Sequence, residues 1–337
     1  AVGAGCALAA AWQAKFQRLA ALVLTGGAGL VTCITFVWFS APDLALTQLL
    51  VEIVTTVLIL LGLRWLPKRI PFAWTWAGAR AALPRRAGDL SIAVVAGSGL
   101  AVLAYAVMTR PLTESISRYF VTHAYPAGGG TNVVNVILVD FRGFDTLGEI
   151  TVLGVVAITV YALLRKFRPP RESIEAPPQQ RLQNDASISD DLMVPSVIMR
   201  FMFAPIIVLA IYLLVRGHDL PGGGFVAGLT FAAGVILQYI AGGTRWTEDR
   251  LHIRPILWIG VGLLVAAATG AGAWIFGHPF LTSHTAHLEL PLVGDLHLPS
   301  AFAFDLGVFS LVVGATGLVL IALAHQSTRS HRVPRHP

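Results

Sequence analysis

The chain has 337 residues, of which 55% are hydrophobic and only 12% charged, and its formal net charge is +6. That balance excludes a soluble domain built on one large core and points to a polytopic membrane protein. The excess of base does not argue for nucleic acid, because Arg and Lys fall in short segments between apolar runs, as they do in cytoplasmic loops. Only Lys15, Lys68 and Lys166 represent lysine, and none lies inside an apolar run. Cys6 and Cys33 sit in apolar sequence without metal-ligand spacing and read as free thiols.

The opening stretch, Ala1 to Trp12, is apolar and has no basic region ahead of it, so it does not read as a signal peptide. Residues 1–20 read instead as the tail of an upstream segment. A first span is predicted from Ala21 to Phe39. The second, Leu44 to Leu66, opens with Pro42, whose missing N–H costs little there, and with Asp43 as a capping acceptor. One carboxylate, Glu52, lies near its middle. Gln48, Glu52, Thr55 and Thr56 recur at helical spacing and draw a single polar stripe on an apolar rod. A charge at that depth costs about 3 kcal/mol on insertion scales. Glu52 therefore reads as part of a proton or ion relay, with a hydrogen bond to another helix as the plainer alternative.

A basic loop carrying Trp74 and Trp76 leads to a third span, Leu90 to Met108, in which Gly97 and Gly99 permit close helix packing. Leu112, Ile116, Tyr119, Phe120 and His123 then repeat as on an interfacial helix, which Gly128 to Gly130 end. Asn132 to Leu164 is too long for one upright crossing at about 1.5 Å per residue. The expectation is a half-helix up to Asp140, a break near Gly143 and a fourth span ending at Arg165. Residues 166–194 are polar, with Pro169-Pro170 and Pro177-Pro178, and read as a cytoplasmic linker between a module at 21–165 and another at 195–337. The second module has spans Val197–Val215, Gly224–Ala241, Pro255–Phe276 and Ala301–Ala324, the first two joined by a tight turn, His218 to Gly224. The fold expected is all-α, with about eight transmembrane helices in two four-helix modules. With both ends in the cytoplasm, only Arg110, Arg118, Arg142 and Arg216 of the 24 basic residues fall outside.

Asp140, Asp145 and Glu149 join Glu52 as candidates for an ion or proton path. Asp145 and Glu149 are four apart and share a helical face, so their repulsion favours a shared proton. Arg142 offers the alternative, a structural ion pair with Asp145. Gly143 and Gly148 are expected to loosen the helix there and expose backbone carbonyls. Asp305 reads as a dipole-stabilising carboxylate at the start of its own helix. Pro221 with its three glycines reads as a tight turn, and Phe225 as packing. His278, His284, His287 and His297 lie in one loop, but Glu289 to Leu298 reads as a hairpin, and no metal site is expected. There is no phosphate-binding Gly loop, no nucleophile with a base and no cofactor signature, so the reading is a transport component, with no cofactor, rather than an enzyme.

Two stretches resemble a known family. Ser40 to Glu52, and Gly128-Gly-Gly-Thr-Asn-Val-Val-Asn onward to Glu149, are similar to the C-terminal region of the A subunit of the Mrp-type sodium/proton antiporters. His218-Asp-Leu-Pro-Gly-Gly-Gly-Phe-Val-Ala-Gly228 is similar to the signature of the B subunit, so the order resembles an A–B fusion. The resemblance implies a multi-subunit complex in a bacterial plasma membrane, related to the membrane arm of respiratory complex I, that exchanges cytoplasmic Na+ for external protons. Its partners would be the other antiporter subunits, and the lysine–glutamate relay of the A subunit would lie upstream. Carried over by position, Glu52, Asp145 and Glu149 match acids important for ion passage, and Pro221 and Phe225 match positions of the B subunit tied to activity. Asp219 departs from the Asn expected there. The rival readings are a membrane component of a redox-linked proton pump, and a purely structural scaffold.

Overall fold

Eight helices among the described residues are long and apolar enough to cross a membrane, and they coincide with the eight expected spans to within a few residues at most ends. The computed structural model describes residues 1–14, 16–63, 66, 83–111, 114–167, 193–290 and 294–330. The loop around Trp74 and Trp76, and the linker positions 168–192, lie outside the described residues.

The segment expected as an upstream tail is a helix, α1 (Val2–Gln13), which packs along α2 (Arg18–Trp38). Gly27 of α2 lets Cys6 approach to van der Waals distance. Ser40 takes a left-handed conformation at φ 56° and reverses the chain into α3 (Pro42–Leu63). The α2–α3 hairpin is held where the Cys33 thiol donates to the Ala45 carbonyl at 3.2 Å.

Ala1–Leu66 with Phe120–Pro337 form one compact unit, and Pro67–Tyr119 form a second. The second unit carries α4 (Leu83–Met108), which buries no residue. Helix α5 (Ser117–Gly128) ends at Gly129, whose φ of 71° suits only glycine without strain. Asn132 then caps the single turn α6 (Val133–Val136), accepting from the Asn135 N–H at 3.3 Å. A π-helical turn, Ile137–Phe141, follows, and Arg142 breaks the helix at φ −126°, ψ 28°. Helix α7 (Gly143–Lys166) starts at once. The expected half-helix and break are thus present, one residue before Gly143. Thr146 donates to the Leu138 carbonyl at 2.7 Å and so satisfies an acceptor that the break releases. Gly148, expected to loosen the helix, lies in continuous α7 with open space beside it.

The remaining helices are α8 (Met193–Arg216), α9 (Gly224–Leu251), α10 (Pro255–Ile275) and α11 (Ala301–Ser330). Between the last two, β1 (Thr285–Leu290) and β2 (Gly294–Pro299) pair antiparallel, which is the expected hairpin. Helix α11 is the axis of the packing: Phe304, Val308, Leu311 and Val312 are essentially inaccessible. Gly262 and Gly307 bring the backbones of α10 and α11 together so closely that a methyl on either would meet main-chain atoms. Helices α3 and α7 pack on α9 and α11, so the boundary between the two modules read from the sequence is not a gap in the core.

Candidate functional site

The site grows from two glycine-rich segments that interlock, the loop Gly128–Asn135 and the turn Gly217–Gly224. Gly223 has φ 97°, and side chains at Gly130 and Gly222 would run into His218 and the Leu213 carbonyl respectively. Asn132 is the hub. Its amide nitrogen lies within donating distance of Asp43 Oδ1 (3.2 Å), the Gly217 carbonyl (3.0 Å) and the Leu220 carbonyl (3.1 Å). The Asn132 N–H donates to the His218 carbonyl at 3.1 Å, and His218 Nε2 donates to the Gly128 carbonyl at 2.8 Å. Thr131 donates through its hydroxyl to the Asp219 carbonyl at 2.8 Å, and its N–H donates to Asp219 Oδ1 at 3.3 Å. The Asp at this unexpected position therefore makes a contact across the interlock.

Asp43 is more than the local cap expected from sequence. Its Oδ1 also accepts from the Gly222 N–H at 3.0 Å, tying the start of α3 to the turn before α9. Asp305 likewise serves another helix, not the start of its own. It is buried, accepts from the Gly224 N–H at 3.1 Å, and so sits on the N-terminus of α9. Its second oxygen accepts from Asn135 Nδ2 at 3.3 Å. A carboxylate removed from water in this way needs such donors.

These segments line a cavity of about 250 Å3, and its wall includes three carboxylates from three helices: buried Asp305, half-buried Asp43 and, on an exposed residue, Glu149. Thr146 and Phe225 also line it, so Phe225 both packs on the core and faces the cavity. Asp43 and Asp305 are held by donors, whereas Glu149 has no hydrogen bond or ion pair among the described residues. The arrangement offers one unengaged carboxylate in the same wall as two held by donors, a wall that is otherwise largely apolar.

The other candidates lie elsewhere. Asp145 pairs with Arg142 and is not among the residues that line the cavity, which is the ion-pair alternative to a proton shared with Glu149. Asp140 accepts the Ser283 N–H at 3.0 Å, fastening the π-helical turn to the segment after α10. Glu52 faces α2: its carboxylate fills the notch left by Gly26 and Gly29, where a methyl at Gly29 would collide with it. Within the described residues Gln48 approaches Glu52 at 3.5 Å, while Thr55 donates back to the Val51 carbonyl at 2.6 Å and adds nothing to a path. The Pro221 carbonyl accepts from Arg216 Nε at 2.7 Å, which braces the turn.

A second cavity, of about 360 Å3, lies at the other end of α9 and α11. There Glu248 accepts from Tyr239 (3.3 Å) and from His325 Nε2 (2.7 Å), and Arg254 is on the wall.

Comparison with known proteins places these segments in context. Family models match three successive stretches: MbhD of MBH at residues 2–68, MbhE of MBH at 84–181, and a domain related to the MnhB subunit of Na+/H+ antiporter at 194–318. Over 345 residues the chain is 62% identical to the probable K(+)/H(+) antiporter A/B subunit of Rhizobium meliloti (strain 1021), a match that covers 98% of this chain and 34% of that protein. It is 37% identical over 121 residues to the B subunit of the Na(+)/H(+) antiporter of Bacillus subtilis (strain 168), a match covering 36% of this chain and 85% of that protein. A chain of the solved Mrp complex from Dietzia sp. DQ12-45-1b superposes with a TM-score of 0.80 at 29% identity, over 100% of this chain and 35% of that one. The chain therefore spans about a third of the length of its A/B relative.

Proposed function

The chain belongs to the A/B-subunit family of Mrp-type antiporters, and from that premise we propose that it forms the part of a multi-subunit monovalent cation/proton antiporter in which the acids of the first cavity handle protons and cations. The observation that carries this reading is the meeting of Asp43, Glu149 and Asp305, from α3, α7 and α11, around one cavity while Glu149 stays unengaged. Glu149 is the exchanging group: its carboxylate takes a proton or faces a cation, and the carboxyl groups of Asp43 and Asp305 in the same wall favour either. The chain acts as part of a secondary transporter, driven by the proton gradient and coupled to other antiporter subunits. Na+ and K+ both occur in the names of its relatives, so the substrate class is a monovalent alkali cation.

The reading places the chain in the bacterial plasma membrane with both ends cytoplasmic, which puts the first cavity toward the outside. A cysteine replacing Thr282 then reacts with an impermeant thiol reagent added outside, and one replacing Asp249 does not; reaction at Asp249 would reverse the orientation. For function, the test is Glu149→Gln in the whole complex, assayed in everted vesicles with Na+ and with K+ beside a native gel. Loss of exchange by an assembled variant is expected. Full exchange by that variant would remove Glu149, and with it the cavity, from the path. The alignment of 98% of this chain with part of an antiporter A/B relative favours this reading over a redox-linked pump component. A fixed scaffold would leave unexplained why an acid without a partner faces a cavity.

A further inference from the structure

His218 is buried, at 8% exposure, and sits where the two glycine-rich segments interlock. Its Nε2 lies 2.8 Å from the Gly128 carbonyl, an atom that can only accept, so Nε2 carries the hydrogen. Nδ1 then holds a lone pair, and it is buried without any hydrogen-bond partner. A buried acceptor left unmet is costly, and a position kept only for packing has no reason to hold one. The glycine at position 130 makes room for the ring, since a Cβ there would collide with it.

Two carboxylates flank the interlock: Asp140, beside Gly128, and Asp305, which accepts from the Gly224 N–H at the end of the turn that carries His218. Asp140 is in the π-helical turn and beside Gly128, the residue that accepts from His218 Nε2. Asp305 is in the cavity wall. The other charged groups around the interlock are Asp43, joined to the same network through Asn132, and, on the turn or beside it, Asp219 and Arg216, the latter committed to the Pro221 carbonyl. Carboxylates outnumber cations around the ring.

We propose that His218 is a proton-binding residue of the transport cycle: Nδ1 takes up a proton from the outer side, and the resulting imidazolium offsets negative charge on Asp140 and Asp305 until the proton is released. One proton enters and the same proton leaves, and Nε2 stays on the Gly128 carbonyl throughout. The inference rests on the antiport reading above and adds a residue to it.

The test is His218→Gln in the intact complex, in everted vesicles whose internal pH is varied from about 5 to 8. A Gln amide can still donate to the Gly128 carbonyl but offers no group that titrates there. The expected result is an assembled variant whose exchange has become flat with internal pH across that range and stays below the wild-type maximum, in line with a lost proton acceptor. An assembled variant with the wild-type pH profile would overturn the proposal. Should His218→Gln fail to assemble, Asp140→Asn decides the matter, because an Asn oxygen still accepts from Ser283. With one negative charge gone the imidazolium is less favoured, so the midpoint of the profile moves to lower pH; an unmoved midpoint rejects the proposal. The two levels of inference fail differently. If Glu149→Gln abolishes exchange while the histidine and Asp140 variants keep the wild-type profile, the cavity stands and only His218 is lost. If Glu149→Gln exchanges normally, it is the antiport reading of the cavity that fails.

Discussion

The two cavities of the α9–α11 pair hold acids in opposite conditions. Along α9 their walls are separated by the rise from Val226 to Val235, about 14 Å. At the second, Glu248 is met by a phenol and an imidazole, with Arg254 close by. At the first, Glu149 has no such partner and the wall carries two further carboxylates. An acid already engaged by donors gives up little on losing a proton and little on meeting a cation. One that is left open, in negative surroundings, changes most with either. On the proposed reading, exchange belongs to the first cavity and fastening to the second. The fastening has a purpose in the fold, because Gly243 kinks α9 at φ 74°, ψ 170°, and the segment beyond it needs a tether. Glu248 supplies one, and Trp246, with Arg200 4.2 Å and Arg250 4.7 Å from its ring, supplies another.

The largest effect that would sharpen this contrast is expected at Asp305. Asp305→Ala strands the Gly224 N–H and the Asn135 amide in a buried place, a loss of about 1–3 kcal/mol for each group left unmet. The variant complex should be less heat-stable and should not exchange. Asp305→Asn restores an acceptor for Gly224 and should recover most of the stability without recovering exchange. If the Ala variant melted with the wild type, Asp305 would not be the pin between α9 and α11. Thermal aggregation followed by native gel, beside vesicle assays, measures both quantities.

Next comes Glu52, which stands apart from both cavities. Its carboxylate has one long contact, with Gln48 on its own helix, and otherwise fills the α2 notch. Glu52→Gln is nearly isosteric and avoids the cost of an intramembrane charge. If Glu52 relays protons, exchange is lost from an intact complex, and Glu52→Asp keeps part of it. Full exchange by the Gln variant would leave only a packing role. Gly29→Ala tests the notch directly, since the added methyl must displace the carboxylate. A several-fold loss is expected, and combining it with Glu52→Ala should relieve the crowding but not the loss. A single Gly29→Ala variant with wild-type exchange would show that the position of the carboxylate does not matter.

The spans were legible in the sequence because a membrane helix must satisfy its backbone internally and be apolar for its whole length. The break ahead of Gly143 was legible for a related reason: Asn132 to Leu164 is too long for one crossing. The cavity was not. Asp43 and Gly222 are 179 positions apart, and Asp305 and Gly224 are 81 apart, so nothing local marks Asp43 and Asp305 as members of one site. Local rules assigned both to caps and dipoles of their own helices, where Asp is common. The polar stripe shows the converse error. Thr55 lies at the right spacing after Glu52, but a threonine in an apolar helix can satisfy its hydroxyl on the preceding turn, and this one does. Asp145 had two readings, and only the position of Arg142 chose between them. His218 stood in a motif, yet its open nitrogen follows from packing alone.

The smallest effect is expected at the second cavity, and it bears on the contrast most directly. Glu248→Gln removes the charge but keeps an oxygen that accepts from Tyr239 and His325. The pair is partly exposed, with side chains at 33% for Glu248 and 42% for His325, so solvent screens it. An ion pair in that condition contributes about 0–1 kcal/mol. The variant should therefore assemble, lose at most a few degrees of heat stability and exchange within about twofold of the wild type, a rate ratio worth less than half a kcal/mol. His325→Gln should behave alike, and the double variant should be no worse than either single one, because both act on one contact. The informative failure is a Glu248→Gln complex that assembles and melts normally but no longer exchanges. That result would make the engaged acid a transport residue, and an acid's freedom from partners would no longer distinguish the two ends of the α9–α11 pair.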